Sequence, residues 1–453
     1  MGKAAFPDMV RPHRMKIATA SAASRELRVF DIVEEFWPPE MFRKARQPAE
    51  RQLDVAERFE REFLQYAQLE GEAVFVASAR KGLQYVLEAL ADGRRGEVVL
   101  PTFCCDVVAQ AVLDAGKRPV LVDSGAFPGS INFVQCEEML RKREVLAVLL
   151  PHLYGLPTDV GEFAEFAKSR GVAVIEDCAQ TLGASWAGKP VGSLGDFSIH
   201  SFNSFKPMSL VGGGMLVASR AARERVEMAS IRRRSEAPSP DRELEETAAF
   251  EGALHSRRKA IAERNGPSLK GVVWRSLRRL PDPVRAGLRR AVNQFRSPIA
   301  RGEVTLASGV GPIRAAAGLA CLEKYPEVAA RRRSNLELLA GLLAGVPGLS
   351  LLTPAAGACA SPLFAKAVVA PGAARRIPEL EQRLLRGGFV GGRFHWHKTI
   401  DQQPKIGRQC VLAGSLENAH RAAACAIDLP IHQNMKPEDL ERMARILAEV
   451  LGR

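Results

Sequence analysis

Four polar residues near the middle of the chain could together bind and activate a small molecule. Asp177 and Gln180 belong to the motif "VIEDCAQ", Ser201 ends the strand predicted in "SIHSF" (198–202), and Lys206 follows in a loop. An acidic residue at a strand end is often simply exposed to solvent, and a single lysine in a loop usually is as well. Their chemistry becomes specific only in combination with a nearby helix start.

That helix start lies in "VASARKGLQYVLEAL", residues 76–90, where a short apolar strand and small residues precede an amphipathic helix. The N–H groups around Ala79 to Lys81 would bind an anion. A lysine amine forms a Schiff base with an aldehyde cofactor, and a carboxylate facing a pyridinium nitrogen keeps that ring protonated and electron-accepting. The combination predicts a pyridoxal phosphate (PLP) site in which Lys206 and Asp177 are the catalytic residues.

The elements that position these residues alternate between strands and helices over residues 51–220. Runs such as "EVVLP" (97–101), "EVLAVLLP" (144–151) and "VAVIED" (172–177) are continuously apolar, as parallel strands covered on both faces are. In such sheets, ligands bind beyond the carboxyl ends of the strands. The sequence therefore predicts an α/β fold with a mostly parallel sheet sandwiched by helices.

A chain of 453 residues is expected to form more than one domain. We expect an N-terminal arm at 1–50, a large domain at 51–330 with a basic helical insertion at about 221–305, and a smaller α+β domain at 331–453. The eight cysteines include no C-x-x-C pair, so neither a metal site nor a disulfide framework is indicated. No secretory signal or apolar run of membrane-spanning length is found, and a cytoplasmic location is expected.

The order of motifs along the chain resembles that of one family. After the small-residue turn come "LPTF", "PHLYG", "VIEDCAQTLGASWAGKPVGSLGDFSIHSF", Lys206 and a glycine cluster, and later "AAAGLACLEKYPEVAARRRSNLELL" and "AIDLPIH". This order is similar to that of the DegT/StrS-type sugar aminotransferases, which are PLP-dependent enzymes of fold-type I. The resemblance covers residues 55–219 and 305–450 and is most specific at 151–215.

The resemblance implies a role for each matching residue. Lys206 matches the lysine that forms the Schiff base with PLP, and Asp177 matches the partner of the pyridine nitrogen. The positions that match further cofactor contacts are Ala79, Arg80, Gln180 and Ser201. Ala79, Arg80 and Ser201 match phosphate ligands of the family. Gln180 matches the residue that contacts the ring hydroxyl or packs at the ring.

Several positions depart from the family pattern. Arg80 stands where the family has Thr, and we expect its guanidinium to take the phosphate directly, because Arg suits bidentate anion contacts. The alternative is that Arg80 points away and the backbone suffices. Cys105 occupies the cofactor position where the family usually has an aromatic ring stacked on PLP, and Phe103 could replace that ring only if the backbone shifted. Gly309 falls where the partner subunit usually sends Asn or Arg toward the phosphate.

The function implied by the resemblance is transfer of an amino group from an amino acid, expected to be glutamate, to a keto-sugar, expected to be nucleotide-linked. Such a step serves surface polysaccharide or natural-product biosynthesis. The family is homodimeric, and each active site is completed by the partner subunit. Two alternatives remain open, namely other PLP-dependent chemistry on the same scaffold and a non-catalytic binding or sensing homologue.

The excess of positive charge is concentrated in one segment. Residues 257–301 contain thirteen Lys and Arg against two acids, while the whole chain has a net charge of +13. A helix in this segment could pack its apolar stripe on the body with solvated arginines, or it could bind an anionic membrane surface. Nucleic-acid binding is not expected, because no groove-reading motif accompanies the charge.

Four further residues are candidates for substrate contacts. His152 follows a strand end, and the other three lie in "GRFHWHK" of the C-terminal domain, which in such enzymes often reaches the active site. The candidates in that motif are Arg393, His395 and His397.

Overall fold

The computed structural model describes residues 15–16, 26–27, 30, 54–93, 96–125, 128–203, 205–210, 212–235, 239, 242–243, 245–246, 309–393 and 397–452. The basic segment 257–301 and the candidate His395 lie outside the described residues.

The strands of the described part are numbered in chain order. They are β1 (Met15–Lys16), β2 (Glu26–Leu27), β3 (Glu72–Val76), β4 (Glu97–Pro101), β5 (Arg118–Val122), β6 (Val145–Pro151), β7 (Ala173–Asp177), β8 (Ser185–Trp186), β9 (Lys189–Pro190), β10 (Phe197–Ser201), β11 (Gly214–Ala218), β12 (Leu349–Leu351), β13 (Ala358–Cys359), β14 (Ala365–Val369), β15 (Val411–Leu412) and β16 (Ala426–Leu429).

The helices follow the same convention. They are α1 (Asp54–Ala67), α2 (Ala79–Ala91), α3 (Asp106–Asp114), α4 (Phe133–Lys142), α5 (Gly161–Ser169), α6 (Met228–Arg234), α7 (Pro312–Leu343), α8 (Ile377–Arg386), α9 (Glu417–Cys425) and α10 (Pro437–Leu451). Short 3-10 turns cover Ala222–Glu224, Pro371–Arg376, Ile400–Gln402 and Gly407–Gln409.

One eight-stranded sheet organises the large domain. Its order is β15-β5-β4-β6-β7-β10-β11-β3. All neighbouring pairs are parallel except those of β11, which runs antiparallel to both β10 and β3. The continuous apolar runs explain this arrangement, because strands buried on both faces need no polar side. The predicted α/β fold with a mostly parallel sheet is confirmed.

Helices cover both faces of this sheet. Helices α2 and α3 pack on one face, over alternate residues of β3, β4 and β7. Helices α4 and α5 cover the other face near β5 and β6, and α1 and α7 cover it near β3 and β11. Successive side chains of each strand therefore point into the cores on opposite faces of the sheet. The position of a polar residue at a strand end thus determines the face on which its side chain lies.

The smaller domain is built on the antiparallel sheet β12-β14-β16. Its core also takes apolar residues from α8, α10 and the second half of α7. A third small sheet, β13-β8-β9, connects residues before β10 with residues after α7. Among the described helices, none combines the length and the apolar character that crossing a bilayer requires.

Helix α7 belongs to both domains. Its first half packs with α1 through residues such as Tyr325, and its second half contributes Leu336, Leu339 and Leu343 to the smaller core. The boundary predicted at 330/331 therefore lies inside one continuous helix. The C-terminal part also returns to the large sheet, since β15 pairs with β5. Apolar periodicity does not mark where a shared helix leaves one core and enters another, so the sequence could not place this boundary.

Candidate active site

The strands β7 and β10 bring two of the predicted residues to one edge of the sheet. Asp177 is the last residue of β7, and its register partner on β10 is Ile199. Ser201 lies two residues farther along β10, on the same side as Ile199 and Asp177. That side carries α2 and α3, because Ile175 and Ile199 belong to the core beneath those helices. Asp177 and Ser201 thus face one space at the carboxyl edge of the sheet.

Asp177 is buried there, with few partners for its charge. Its Oδ1 accepts a hydrogen bond from the backbone N–H of Ala179 at 3.0 Å. Burial raises the pKa of the Asp177 carboxyl above its ordinary value, and the positive charge of Lys206 offsets only part of that rise. A buried carboxylate in this condition is suited to a cationic N–H group from a ligand, since such a group would favour its ionised form.

Glu176, the preceding residue, has the opposite surroundings. Its side chain points to the other face, where its carboxylate accepts three backbone N–H groups of the turn at 192–195 at 2.6–2.9 Å. His152 Nε2 lies 3.0 Å from Glu176 Oε2. Burial alone would raise the pKa of Glu176, but the hydrogen bonds from His152 and the turn hold it below its ordinary value. This carboxylate is saturated by the protein and holds the turn on the sheet.

His152 was predicted as a substrate contact, and the structure places it in this network instead. Its Nδ1 accepts the backbone N–H of Thr158 at 3.0 Å, so Nε2 carries the proton and donates to Glu176. The side chain is 1% exposed. The nearby Cys178 completes a cluster of atoms within 4.8 Å of one another that could suit a metal ion. Because N–H donors already use the acceptor atoms of His152 and Glu176, hydrogen bonding accounts for this cluster.

Lys206 lies half-buried in the loop that joins β10 to β11. The base of the loop is closed by Phe202, which accepts the N–H of Leu210 at 2.8 Å and donates to Gly213 at 3.0 Å. Phe205, directly before Lys206, has a φ of +68°. A bulky residue in this left-handed region costs about 1–3 kcal/mol, a strain that occurs most often at functional sites. The positive charge of Lys206 acts to lower the pKa of both Asp177 and Cys105, so these two side chains lie within its electrostatic reach.

The start of helix α2 forms one wall of the same space. Ser78 caps the helix by accepting the N–H of Lys81 at 3.2 Å. A side chain at Gly214 would place its Cβ 2.4 Å from the backbone nitrogen of Ala79, so only glycine allows this approach. Because Ser201 pairs directly with Gly214 on β11, its hydroxyl lies beside the first turn of α2. First-turn N–H groups and a hydroxyl are together suited to a phosphate.

The two remaining cofactor positions differ from each other in exposure. Arg80 is an exposed residue in the first turn of α2. Cys105 is the N-cap residue of helix α3, and its thiol donates to Oδ1 of Asp106 at 3.9 Å rather than capping the helix backbone. Burial raises the pKa of this thiol. Phe103 packs inside a cluster with Tyr154 and Phe364 and is 1% exposed, so its ring does not take the place of the family's stacking residue.

Gln180 connects this space to the junction of the two domains. Its Oε1 accepts the backbone N–H of Tyr154 at 2.7 Å, and the side chain is buried. Among the described residues this leaves the amide nitrogen of Gln180 as the group that could donate to a ligand hydroxyl. Tyr154 stands at a φ of +64° and packs against Phe364 of the small domain, with ring centroids 5.8 Å apart. The position of Gln180 therefore depends on the docking of both domains.

The candidates in "GRFHWHK" are not brought to Asp177 or Lys206 by contacts of the described residues. Arg393 is exposed, and its backbone N–H donates to Glu381 at 2.8 Å on α8. His397 is exposed at the start of the segment that leads to β15.

Two features of this region had no signal in the sequence. Asp401 accepts the hydroxyl of Thr102 at 2.7 Å and lies 2.7 Å from Nε2 of His420. These contacts hold the C-terminal segment against the loop after β4, which leads to Cys105. The second feature is the buried Arg332 of α7, whose guanidinium reaches the loop of Lys206. The contact of Thr102 with Asp401 spans 299 positions and that of Arg332 with Pro207 spans 125, so local motifs cannot show them.

Comparison with known proteins shows which fold and which family this chain has. Over 94% of its length the chain superimposes on 93% of the solved structure of DesI in the presence of its TDP-sugar product, with a TM-score of 0.66 and 22% identity. The chain therefore shares the fold of that structure, in agreement with the predicted fold class. A profile of the DegT/DnrJ/EryC1/StrS aminotransferase family matches residues 50–255 and 293–448. The chain belongs to this family.

Two curated relatives illustrate the range of similarity. A UDP-N-acetyl-3-dehydro-alpha-D-glucosamine 3-aminotransferase from Acidithiobacillus ferrooxidans is 39% identical over 150 residues, which are 33% of this chain and 40% of that protein. The match thus spans about two fifths of that relative's length. A dTDP-4-dehydro-2,3,6-trideoxy-D-glucose 4-aminotransferase from Saccharopolyspora spinosa is 26% identical over 391 residues, covering 85% of this chain and 86% of that protein.

Proposed function

We propose that this chain is a PLP-dependent aminotransferase that moves an amino group from an amino acid to a keto-sugar. The observation that supports the proposal is that Asp177 ends β7 and the loop of Lys206 follows the neighbouring parallel strand β10, at the same carboxyl edge of the sheet. The carboxyl is buried and its pKa is raised, and the amine is close enough to oppose that rise. An acid and an amine around one space are what a pyridine ring bearing an aldehyde requires.

The residues of the site would hold PLP in the following way. When bound, PLP supplies an aldehyde for the amino group and a ring that accepts electrons from the substrate carbon. The Asp177 carboxylate would receive the ring N–H, and the amide nitrogen of Gln180 would meet the ring hydroxyl. The Ser201 hydroxyl and the first N–H groups of α2, at Ala79 and Arg80, would bind the phosphate.

Lys206 would hold the aldehyde carbon until the amine of the donor displaces it, which frees its Nζ. The freed Nζ would then act as base and acid, taking the proton from the donor carbon and returning it to the former aldehyde carbon. The strained Phe205 and the closed base of the loop restrict the arc over which that nitrogen can move. The Cys105 thiol stays neutral at neutral pH, because burial raises its pKa, so it adds no charge next to the amine.

The substrate class is inferred from relatives. Both curated relatives carry names of nucleotide-sugar aminotransferases, and the DesI structure includes a TDP-sugar product. We therefore propose a nucleotide-linked keto-sugar as amine acceptor and glutamate as donor. The resemblance also supports a homodimer with shared active sites, which light scattering of the purified chain would measure.

The decisive experiment follows the cofactor to one lysine. Purified protein incubated with PLP should develop the visible absorbance of protein-bound PLP, and borohydride should then fix the pyridoxyl group on Lys206, as located by peptide mass spectrometry. Adding single amino acids should convert bound PLP to its amine form, fastest with the true donor. The exposed Lys189 serves as a matched control, since Lys189→Ala should change nothing. A colourless protein, or label spread over several lysines, would contradict the proposal.

A second PLP reaction remains the alternative, and two residues favour it. Cys105 presents a thiol where the family usually has a ring, and Gly309 offers no side chain for the partner's phosphate. If PLP binds at Lys206 but no amino acid produces its amine form, a different reaction on the same scaffold is the better account.

The proposed location is cytoplasmic, with contact to an anionic membrane surface through residues 257–301. All eight cysteines are free thiols, which suits a reducing compartment. Sedimentation with anionic liposomes, with and without residues 257–301, tests the membrane contact. Equal partitioning of the two forms would end that part of the proposal.

A further inference from the structure

Arg332 is a buried guanidinium that the proposed chemistry does not use. It lies near the middle of α7 and is 0% exposed, which makes it one of the largest fully buried side chains among the described residues. Its Nη1 donates to the backbone carbonyl of Pro207 at 3.3 Å, and its Nε donates to Oε1 of Gln433 at 3.1 Å. A buried charge needs such acceptors, since desolvation without them is costly.

The contact with Pro207 is significant because this residue directly follows Lys206. Proline has no backbone N–H, so its carbonyl is the group by which this end of the loop can be held. On the other side of Lys206, Phe205 is fixed in the left-handed conformation. The backbone on both sides of the amine is therefore restrained, on one side by conformation and on the other by Arg332.

A second buried polar residue on helix α7 distinguishes a contact with the loop of Lys206 from contacts that only fasten the helix. Asn335, one turn along α7, is also buried and donates to the carbonyls of Ile431 and His432 at 3.2 and 3.0 Å. These bonds fasten α7 to the same C-terminal turn that Gln433 belongs to. Both hydrogen bonds of the Asn335 side chain go to that turn, whereas Arg332 bonds to the turn through Gln433 and also reaches the loop of Lys206 through Pro207.

We propose that Arg332 is a positioning residue for Lys206, acting through the carbonyl of Pro207. The guanidinium sets where the backbone of Lys206 lies relative to Asp177, and so sets where the amine can reach. The inference rests on the proposed function in that Lys206 is taken as the reacting amine. Because the amine must meet its target within a narrow geometry, a small displacement of the loop has a large kinetic effect.

The first stage of the test measures the reactivity of the Lys206 amine in the absence of PLP. In PLP-free protein, acetylation of Lys206 by acetic anhydride is followed by mass spectrometry across the alkaline pH range, with hydrogen exchange of the peptide covering residues 203–213. Arg332→Met should change the pH profile of Lys206 labelling and speed exchange in that peptide severalfold. Arg332→Lys, which retains a donor, should restore part of the difference, and it also serves if Arg332→Met does not fold.

Asn335→Leu is the matched control. It should lower the melting temperature while leaving the labelling profile of Lys206 as in the parent chain, because the hydrogen bonds of Asn335 do not involve the loop of Lys206. If Asn335→Leu changes the labelling as much as the Arg332 variants do, or if neither Arg332 variant changes it, the proposal is overturned. These readouts need no PLP, so they stand or fall separately from the aminotransferase assignment.

Turnover provides the second stage if the parent chain is active. Arg332→Met should then lower kcat by about 10²-fold with little change in KM for the donor, because a displaced amine slows proton transfer rather than binding. An unchanged kcat would contradict the positioning role.

Discussion

Two neighbouring carboxylates on strand β7 have opposite fates. Glu176 and Asp177 are adjacent, and strand geometry sends their side chains to opposite faces of the sheet. Glu176 receives three backbone N–H groups and the imidazole of His152. Asp177 receives one backbone N–H from the described residues and the electrostatic effect of Lys206. One face of the strand end is thus saturated by the protein, and the other is not.

The two pKa shifts express the same difference. Both groups are buried, and burial raises the pKa of each, but the donors around Glu176 reverse that effect while those around Asp177 do not. A saturated buried carboxylate stabilises the fold. An unsaturated one costs stability and is retained where a ligand completes it. The comparison predicts that changes at Asp177 alter activity and that changes at Glu176 alter folding.

The largest expected effect is on turnover. Asp177→Asn removes the negative charge that would hold the ring nitrogen protonated, so kcat should fall about 10²–10³-fold. The unfolding free energy of the cofactor-free protein should not fall, because the buried charge is costly there. Steady-state kinetics and urea unfolding measure the two quantities. If Asp177→Asn lost stability but kept full activity, Asp177 would be a structural residue and the contrast with Glu176 would be wrong.

The sign of the pH dependence gives a separate check on Asp177. Because its pKa is raised in the folded protein, ionisation costs stability as the pH rises through that pKa. A ring N–H⁺ favours the ionised form, so the increase in melting temperature on adding PLP should grow over this pH range. Asp177→Asn should show a smaller dependence, and equal curves would argue against direct contact.

The next effect is on folding, at Glu176. Glu176→Gln keeps the size but replaces one acceptor oxygen by a donor that faces other donors, so the unfolding free energy should fall by about 2–3 kcal/mol. Its lowered pKa means that this stabilisation is present above the ordinary carboxyl range and is lost as the pH falls. Glu138→Gln is the control, since this half-exposed side chain pairs with Lys142 at the surface and should change stability by less than about 1 kcal/mol. Equal losses at the two positions would contradict the saturated network.

The smallest effect at neutral pH is expected at His200, which lies on β10 beside the Glu176 face. Burial lowers the pKa of His200 to about 3. The folded protein therefore keeps it neutral, and stability should be lost as the pH falls from about 6.5 toward that value, where the unfolded chain binds the proton. His200→Gln retains a hydrogen-bonding group for Ser198 and should flatten the decline. Urea unfolding at neutral and acidic pH compares the two proteins, and parallel declines would place the acid sensitivity elsewhere.

The sequence indicated that Asp177 lies at a strand end, but it did not indicate which groups surround Glu176. Asp177, Ser201 and the start of α2 could be placed because strand ends and helix starts leave local patterns. The role of Glu176 could not be inferred, since its partners come from a turn sixteen to nineteen positions later. For the same reason His152 was interpreted as a substrate contact, although its partners are Glu176 and Thr158.

The sequence by itself determined the order of strands and helices, the mostly parallel sheet and the polar residues at its carboxyl edge. These follow from apolar periodicity and chain direction, which are local properties. Only the tertiary structure decided that Arg332 reaches Pro207 across 125 positions and that Thr102 meets Asp401 across 299. Such contacts depend on how whole elements pack, and packing geometry is a property of the assembled cores rather than of any segment.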